Sequence, residues 1–400
     1  MSKRRILFVC HTAAGESLRS ARAIANLDDV EMCLVSDVHD TVQLIATAQA
    51  FIHNRGNVHK IVTAQETLLL PVAEANEALG LAAMSSETVK RTLDKSQLKA
   101  ILKQAGISTP RDQIVTTLED AQGFAREVGF PIVIKPVGGS GALTTFQIHN
   151  EAQLAHVIDL MQRPLIAEAF ISGQELCFDT ITIDNEPQFY SLCEYNPSII
   201  EALQDPERQW QCVMPREIDA KYHDFIAQGL AAVKALQVGN AMTHMEGFAN
   251  GGFIDATLRP AGARIAPMFG FACDVDPYHV WARIAVDGRL DGPLERKYAV
   301  GTIFLRGVGS GVIEQVNTIE NSLIVEAHWP RIGARKSPTY TGDGYVTVRH
   351  PDKAVVHDTL NLIGRTVKIT YTSSQPDSPT PETLRDNYKS LTTPAWEATL

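Results

Sequence analysis

Short continuous apolar runs and 3.6-residue apolar stripes alternate through the first part of the chain, and short strand-like runs take over near its end. Ile6 to Cys10 is an apolar run of strand length, the pattern of a strand buried on both faces in a parallel sheet. A small-residue loop, His11 to Gly15, leads to a helical stretch over Ser17 to Leu27, and Val30 to Val35 and Ile61 to Thr63 read as further strands. Leu68 to Leu79 reads as a helix stopped by Gly80. Such alternation predicts a doubly wound α/β sheet. Asp94 to Ala105 is an amphipathic helix with Leu98, Ile101, Leu102 and Ala105 on one face. A second α/β unit follows: helix Leu118 to Val128, strand Pro131 to Lys135, a glycine loop, helix Glu151 to Met161 and strand Leu165 to Phe170. Asp219 to Leu236 is helical again. After about Pro293 the texture turns to β, with candidate strands at Ala299 to Leu305, Ser322 to Ala327 and Thr366 to Tyr371. The tail beyond Ser373, rich in Pro, Ser and Thr, reads as poorly ordered.

One segment carries candidate chemistry through its geometry. Thr243-His244-Met245-Glu246 and Asp255-Ala256-Thr257-Leu258-Arg259 flank Asn250-Gly251-Gly252. Asn-Gly between alternating segments is the strongest short-range hairpin signal, because both residues tolerate positive φ. A two-residue turn there pairs Ala249 with Gly252, Glu246 with Asp255 and His244 with Thr257. Asp255, Thr257 and Arg259 then share one face. Carboxylates opposed across two strands have Cβ atoms about 5 Å apart, which costs energy unless a cation lies between them. Mg²⁺, commonly held by one or two carboxylates plus substrate phosphates, suits that position. Arg259 can reach an anionic group of a substrate. A solvated edge hairpin with scattered charges is the plainer alternative, and His244 reads either as a pocket residue or as a packed histidine.

A second feature is Phe130-Pro131-Ile132-Val133-Ile134-Lys135-Pro136-Val137-Gly138-Gly139-Ser140-Gly141. It places Lys135 at the end of a buried strand beside glycines whose N–H groups can approach phosphate oxygens. The lysine precedes the glycines and no G-K-[ST] follows, so this is no Walker A loop.

Composition narrows the partners. Four hundred residues imply two or three domains. The net charge of −10 argues against a nucleic-acid or anionic-membrane partner. Six cysteines with no C-x-x-C pair suggest reduced, packed thiols. The apolar run after Lys3-Arg4-Arg5 stops at His11, no run approaches membrane-spanning length, and the cytoplasm is the expected location.

Taken in order, Asp94-Lys95 before a helix ending Ala-Gly-Ile, F-P-I-V-I-K-P with its glycine loop, A-E-A-F-I-S-G-Q-E, H-M-E and D-A-T-L-R-P-A-G resemble the ATP-grasp superfamily over roughly residues 60 to 290. No single motif is very specific, but five in sequence are. The β-rich remainder, with Tyr298-Ala-Val-Gly-Thr-Ile-Phe-Leu and Gly311-Val-Ile, is similar to the branch containing L-amino-acid ligases. The resemblance implies an ATP-grasp fold within the α/β class, with an α+β core. Residues 1–94 would be a Rossmann-like N-terminal domain, 95–290 the nucleotide-binding core with a lid at about 110–168, and 291–400 a β-rich C-terminal portion. It implies ATP with Mg²⁺, or Mn²⁺ in its place. Lys95 and Lys135 match the phosphate-contacting lysines, and Gly138, Gly139, Ser140 and Gly141 the mobile phosphate-covering loop. Glu168, Ala169, Phe170 and Ile171 match the adenine hinge, and Glu175 the ribose-binding acid. Glu246 and Asp255 match the paired metal ligands, Thr257 stands where an asparagine ligand is usual, and Arg259 matches the arginine on the acyl phosphate, with Arg264 a further candidate beside it.

The implied activity is ATP-dependent joining of a carboxylate, such as an amino acid, to an amine through an acyl phosphate, giving ADP and phosphate. Small-molecule substrates and a homodimer are the implied partners. Two departures keep alternatives open. Asp255 replaces a glutamate and Thr257 an asparagine, which favours a non-catalytic nucleotide-binding protein; a carboxylase or purine-pathway-type ligase would share the same core. Leu7-Phe8-Val9-Cys10 also resembles the low-molecular-weight phosphotyrosine phosphatases. They need C-x₅-R, whereas Glu16 stands six residues after Cys10 and would repel phosphate.

Overall fold

Three packed sheets and their helices bring the motif-bearing segments to one place in the computed structural model, which describes residues 3–12, 15–36, 38, 40–138, 144–161, 164–205 and 207–375. Near the N-terminus Arg4–Val9 is the centre of a parallel three-stranded sheet, between Val30–Val35 and Lys60–Val62. Its residues Ile6 to Val9 are almost wholly buried, as a strand covered on both faces requires. Helices Gly15–Ala25, Thr41–Arg55 and Glu66–Ala78 flank it. Thr41–Arg55 escaped the periodicity reading because only Leu44 and Ala48 of its fifteen residues are buried, leaving no apolar stripe to detect.

A four-stranded antiparallel sheet follows, in the order Asp112–Val115, Leu165–Ala169, Ile132–Pro136, Phe146–Ile148. Ile132 and Ile134 point into a core with helices Leu118–Val128 and Glu151–Leu160. Alternation sends Val133 and Lys135 to the other face. Glu168 pairs with Val133 and shares that face.

The third sheet has eight antiparallel strands: Gly252–Thr257, Ala241–Phe248, Glu175–Ile183, Glu186–Asn196, Trp210–Met214, Ala299–Leu305, Gly344–His350 and Ile324–His328. Strands from beyond residue 293 thus extend the sheet that contains the hairpin. The strand expected at Thr366 to Tyr371 is the end of helix Lys353–Thr366 followed by strand Ile369–Ser373, which pairs with Ser310–Val316. Residues 376–400 of the tail lie outside the described residues.

The hairpin itself differs from its expected form in an instructive way. Phe248, not Ala249, pairs with Gly252, so Ala249–Gly251 is a three-residue loop closed by Gly251 N–H to Phe248 O at 3.0 Å. Neither Asn250 nor Gly251 has positive φ; Gly252 does, at 76°. The pairing then slips by one residue between Phe253 and Asp255, a bulge that leaves Ile254 unpaired and returns Glu246 to Asp255 and His244 to Thr257. Turn and bulge cancel, and the expected carboxylate pair survives. The bulge also frees Phe253 N–H to reach Ser108 O at 3.0 Å.

A Cβ on Gly252 would sit 1.9 Å from Ser108 O. Gly252→Ala is therefore expected to cost at least about 2 kcal/mol, from clash and from a strained positive φ, read as a lowered urea midpoint. A variant as stable as the parent would remove the claim that this close approach sets the loop.

Candidate active site

Asp94 begins the site. Its carboxylate caps helix Lys95–Gln104, accepting from Ser96 N at 2.9 Å and Gln97 N at 3.1 Å. Lys95 is the first residue of that helix, and its N–H donates to Val137 O at 3.1 Å, just past strand Ile132–Pro136. The two expected lysines are thereby held on the same cleft wall. The helix buries Lys95, Leu98, Lys99 and Leu102, a face rotated from the expected one, with Ala105 exposed. Lys99 is the residue that apolar periodicity misses. Its signal was the i, i+4 spacing from Lys95 on one face.

Lys99 Nζ lies 2.6 Å from Glu168 Oε1, and Lys135 Nζ 3.0 Å from Glu168 Oε2. All three side chains are buried. Burial opposes the Glu168 charge, yet Lys135 and Lys99 hold this carboxyl below the usual carboxylate range. Burial pushes Lys99 down despite Glu168, and neighbouring Lys135 pushes the same way. The asymmetry is simple: the acid sits between two cations, whereas Lys99 has a like charge, Lys135, beside its anion. Lys135 also reaches Ile254 O at 3.3 Å, tying the four-stranded sheet to the hairpin bulge. The Glu168 side chain is thus occupied, while Ala169, Phe170 and Ile171 line the cleft beside it.

Across the cleft, Asp255 Oδ2 meets Lys95 Nζ at 3.1 Å. Burial alone would lower Lys95, but Asp255 raises it overall. Glu246 Oε1 accepts from Tyr195 OH at 3.2 Å and stands 3.4 Å from His244 Nε2. Burial works against this carboxylate too, yet His244, Tyr195 and Lys135 hold it below its usual range. Thr257 is buried, and its Oγ1 has no hydrogen-bond partner among the described residues. Two opposed carboxylates and an unsatisfied hydroxyl make an all-oxygen donor set that fits a hard divalent cation. Glu175 is nearly buried and accepts from Ile199 N–H at 2.7 Å. Burial, then the Glu246 charge, push it up to about 8.

These groups line a cleft of about 1310 Å³, open to solvent. Lys95, Lys135, Gly138, Ala169, Phe170, Ile171, Glu175, Glu246, Asp255, Thr257 and Arg259 all border it. Gly139, Ser140 and Gly141 lie outside the described residues. Arg264 is not on the wall: it turns to Glu326 and stacks 4.5 Å from the Tyr345 ring centre. Tyr195, Glu66 and Tyr340 border the cleft without any sequence signal, because each comes from a segment lacking a motif. Arg259 pairs with Glu66, its Nη2 2.8 Å from Glu66 Oε2. Glu66, Arg259 and Gly262 also line an adjoining cleft of about 810 Å³ with Glu16, Ser17 and Ser20. Burial raises the Glu16 carboxyl despite Arg259, Arg264 and Arg19.

Comparison with known proteins finds matching domains and a matching fold. Residues 7–82 match the ATP-grasp N-terminal domain and residues 92–186 the RimK-like ATP-grasp domain. An L-arginine-specific L-amino acid ligase of Bacillus subtilis is 26% identical over 225 residues, 53% of each chain. An alanine–anticapsin ligase of the same species is 28% identical over 132 residues, 29% of this chain and 28% of that one. The chain thus spans about half the length, or less, of these curated relatives. The crystal structure of an L-amino acid ligase from Bacillus licheniformis superposes with a TM-score of 0.77 at 18% identity, covering 93% of this chain and 100% of that one. At that identity the likeness establishes the fold. No helix among the described residues is long and apolar enough to cross a membrane.

The Lys99–Glu168–Lys135 group gives a pH-dependent test. Glu168→Gln leaves two buried ammonium groups facing a neutral amide, with an expected cost at neutral pH of about 3 kcal/mol. Because the folded carboxyl titrates below its ordinary value, its stabilisation is present above the unfolded value and lost as pH falls through the folded one. Urea melts should show the gap between parent and variant narrowing on acidification. A gap that stays constant down to about pH 3 would rule the ion group out as its source.

Proposed function

We propose that this chain, which has the ATP-grasp fold and carries an ATP-grasp N-terminal domain followed by a RimK-like ATP-grasp domain, joins an amino-acid-type carboxylate to an amine, with ATP converted to ADP and phosphate. The observation that carries the reading is the convergence in one cleft of the Glu246–Asp255 pair, the unsatisfied Thr257 hydroxyl and the lysines Lys95 and Lys135. Phosphoryl transfer is mostly positioning and charge stabilisation, and these groups supply both.

Glu246, Asp255 and Thr257 would hold Mg²⁺. Bound there, the cation neutralises phosphate charge and orients the transferring group. Lys95 and Lys135 hold the phosphate chain, with Gly138 beside them on the cleft wall. Lys95 pairs with Asp255 in the same cleft, within reach of a bound phosphate chain. Ala169 to Ile171 seat the adenine, and Glu175, beside them, receives the ribose. Arg259, oriented by Glu66, faces both clefts and holds the substrate carboxylate while its oxygen attacks the γ-phosphorus. The amine then attacks the acyl carbon from the adjoining cleft, phosphate leaves, and the amine loses its proton. Closure of the four-stranded sheet over the cleft protects the acyl phosphate from water. Similarity to the L-arginine-specific L-amino acid ligase of Bacillus subtilis supports amino acids as the substrate class.

Phosphate release should depend on added amino acids, singly or in pairs, and mass spectrometry should find a product one water lighter than its parts. ATP binding with no release across all pairs would overturn the ligase reading. Glu246→Gln should lower turnover by at least about 100-fold, as for loss of a group acting on developing charge. Thr257→Val gives the sharper test. Removing an unsatisfied buried hydroxyl should leave the melting temperature unchanged or higher, while the Mg²⁺ concentration for half-maximal turnover rises by about tenfold or more. An unchanged magnesium requirement would remove Thr257 from the donor set.

A further inference from the structure

The same sheet face carries a second donor set of different chemistry, one strand beyond Glu246. On strand Glu175–Ile183, Cys177 lies opposite Glu246 and Asp179 opposite His244. Cys177 Sγ donates to Asp179 Oδ2 at 3.1 Å, and His244 Nδ1 lies 2.7 Å from Asp179 Oδ1. One ligand atom from each residue lies within 4.8 Å of the other two.

We infer that Cys177, Asp179 and His244 form a binding site for a zinc-class divalent cation, distinct from the all-oxygen magnesium set. Around tetrahedral zinc, with sulfur at about 2.3 Å and nitrogen or oxygen at about 2.0–2.2 Å, ligand atoms stand roughly 3.5 Å apart. The two contacts to Asp179 are shorter than that separation and every pair lies within 4.8 Å, so side-chain adjustment suffices. Thiolate and imidazole select zinc over magnesium. One thiolate and one carboxylate balance the 2+ charge, and binding releases the thiol proton and the Nδ1 proton that now bridge to Asp179. The outer shell is also in place. With Nδ1 on the metal, Nε2–H points to Glu246 Oε1, now 3.4 Å away, the carboxylate–histidine–metal arrangement that orients ligating histidines. His244 borders the main cleft, which provides the entry path and leaves the fourth position to water. Occupancy fixes His244 and commits its Nε2–H to Glu246, one of the carboxylates of the magnesium set, so zinc opposes magnesium and inhibits.

The test does not need turnover, which separates it from the ligase reading. Chelator-treated full-length protein is titrated with Co²⁺, whose thiolate charge-transfer absorption in the near ultraviolet reports sulfur ligation; the carboxylate pair gives none. The expected result is a stoichiometric band that Zn²⁺ abolishes. Cys177→Ser should lose it. Asp179→Asn, which keeps the thiol, should weaken Co²⁺ binding by at least about tenfold. Cys33→Ser removes a partly exposed thiol on the N-terminal sheet and should keep the band. No band in the parent, a band that survives Cys177→Ser in folded protein, unchanged affinity in Asp179→Asn, or loss in Cys33→Ser would each overturn the site.

Discussion

Like charge packed onto adjoining strands is the constraint around which the cleft is built. Glu246 and Asp255 face each other across the hairpin, with Glu175 and Asp179 on the neighbouring strand. Wholly or partly buried carboxylates at such spacing are tolerable only when each has a cation or donor of its own. Asp255 has Lys95, Glu246 has His244 and Tyr195, and Asp179 has His244. Glu175 has a backbone N–H at the start of helix Ile199–Gln204, and burial together with the Glu246 charge drives it upward. Apart from His244, which shares a strand with Glu246, these partners come from other parts of the chain. Neutralising the cleft and assembling the sheets are therefore one event.

Lys135 shows how tightly the two are linked. It sits on the four-stranded sheet, pairs with Glu168 there, and reaches Ile254 O on the hairpin. That carbonyl belongs to the bulge residue, whose place in the ladder was given up when the turn lengthened to three residues. A regular hairpin would have engaged Ile254 in strand pairing. The irregularity thus creates both the contact to Lys135 and the hydrogen bond from Phe253 to Ser108.

This explains why some of the site was legible in the sequence and some was not. The Glu246–Asp255 pairing could be read because period-2 alternation is strong, although the turn supporting that reading was wrong and a compensating bulge rescued the register. Lys95 and Lys135 were legible because each lies at an element terminus beside a recognisable cap or glycine loop. Lys99 was not, because a lysine inside an amphipathic helix reads as solvated until an acid on another element, Glu168, gives it a reason to be buried. Tyr195, Tyr340 and Glu66 depend on tertiary placement alone. Helix Thr41–Arg55 and strand Ser310–Val316 were missed for the opposite reason, since they bury too little apolar surface to leave a periodic trace.

Arg264 marks the boundary between motif and geometry. It follows Arg259 in a segment that sequence order ties to the site, yet its side chain leaves the cleft for Glu326 and Tyr345. The cause is in the backbone. Ala263 and Arg264 both adopt left-handed conformations, with φ of 46° and 65°, uncommon for residues bearing a Cβ. That pair of strained residues turns the chain sharply into helix Ile265–Cys273 and leaves Gly262, Ala263 and Ile265 on the cleft wall. No side chain caps this helix, so its first turn presents its positive end where a negative charge is most useful. Strain of this kind persists only where surrounding contacts over-determine it. The Arg264–Glu326 pair, reaching a strand at the far edge of the eight-stranded sheet, is such a contact. Arg264 accordingly serves the cleft by clamping its rim, and the positive charge on this part of the wall comes from Arg259 and the backbone that Arg264 holds in place.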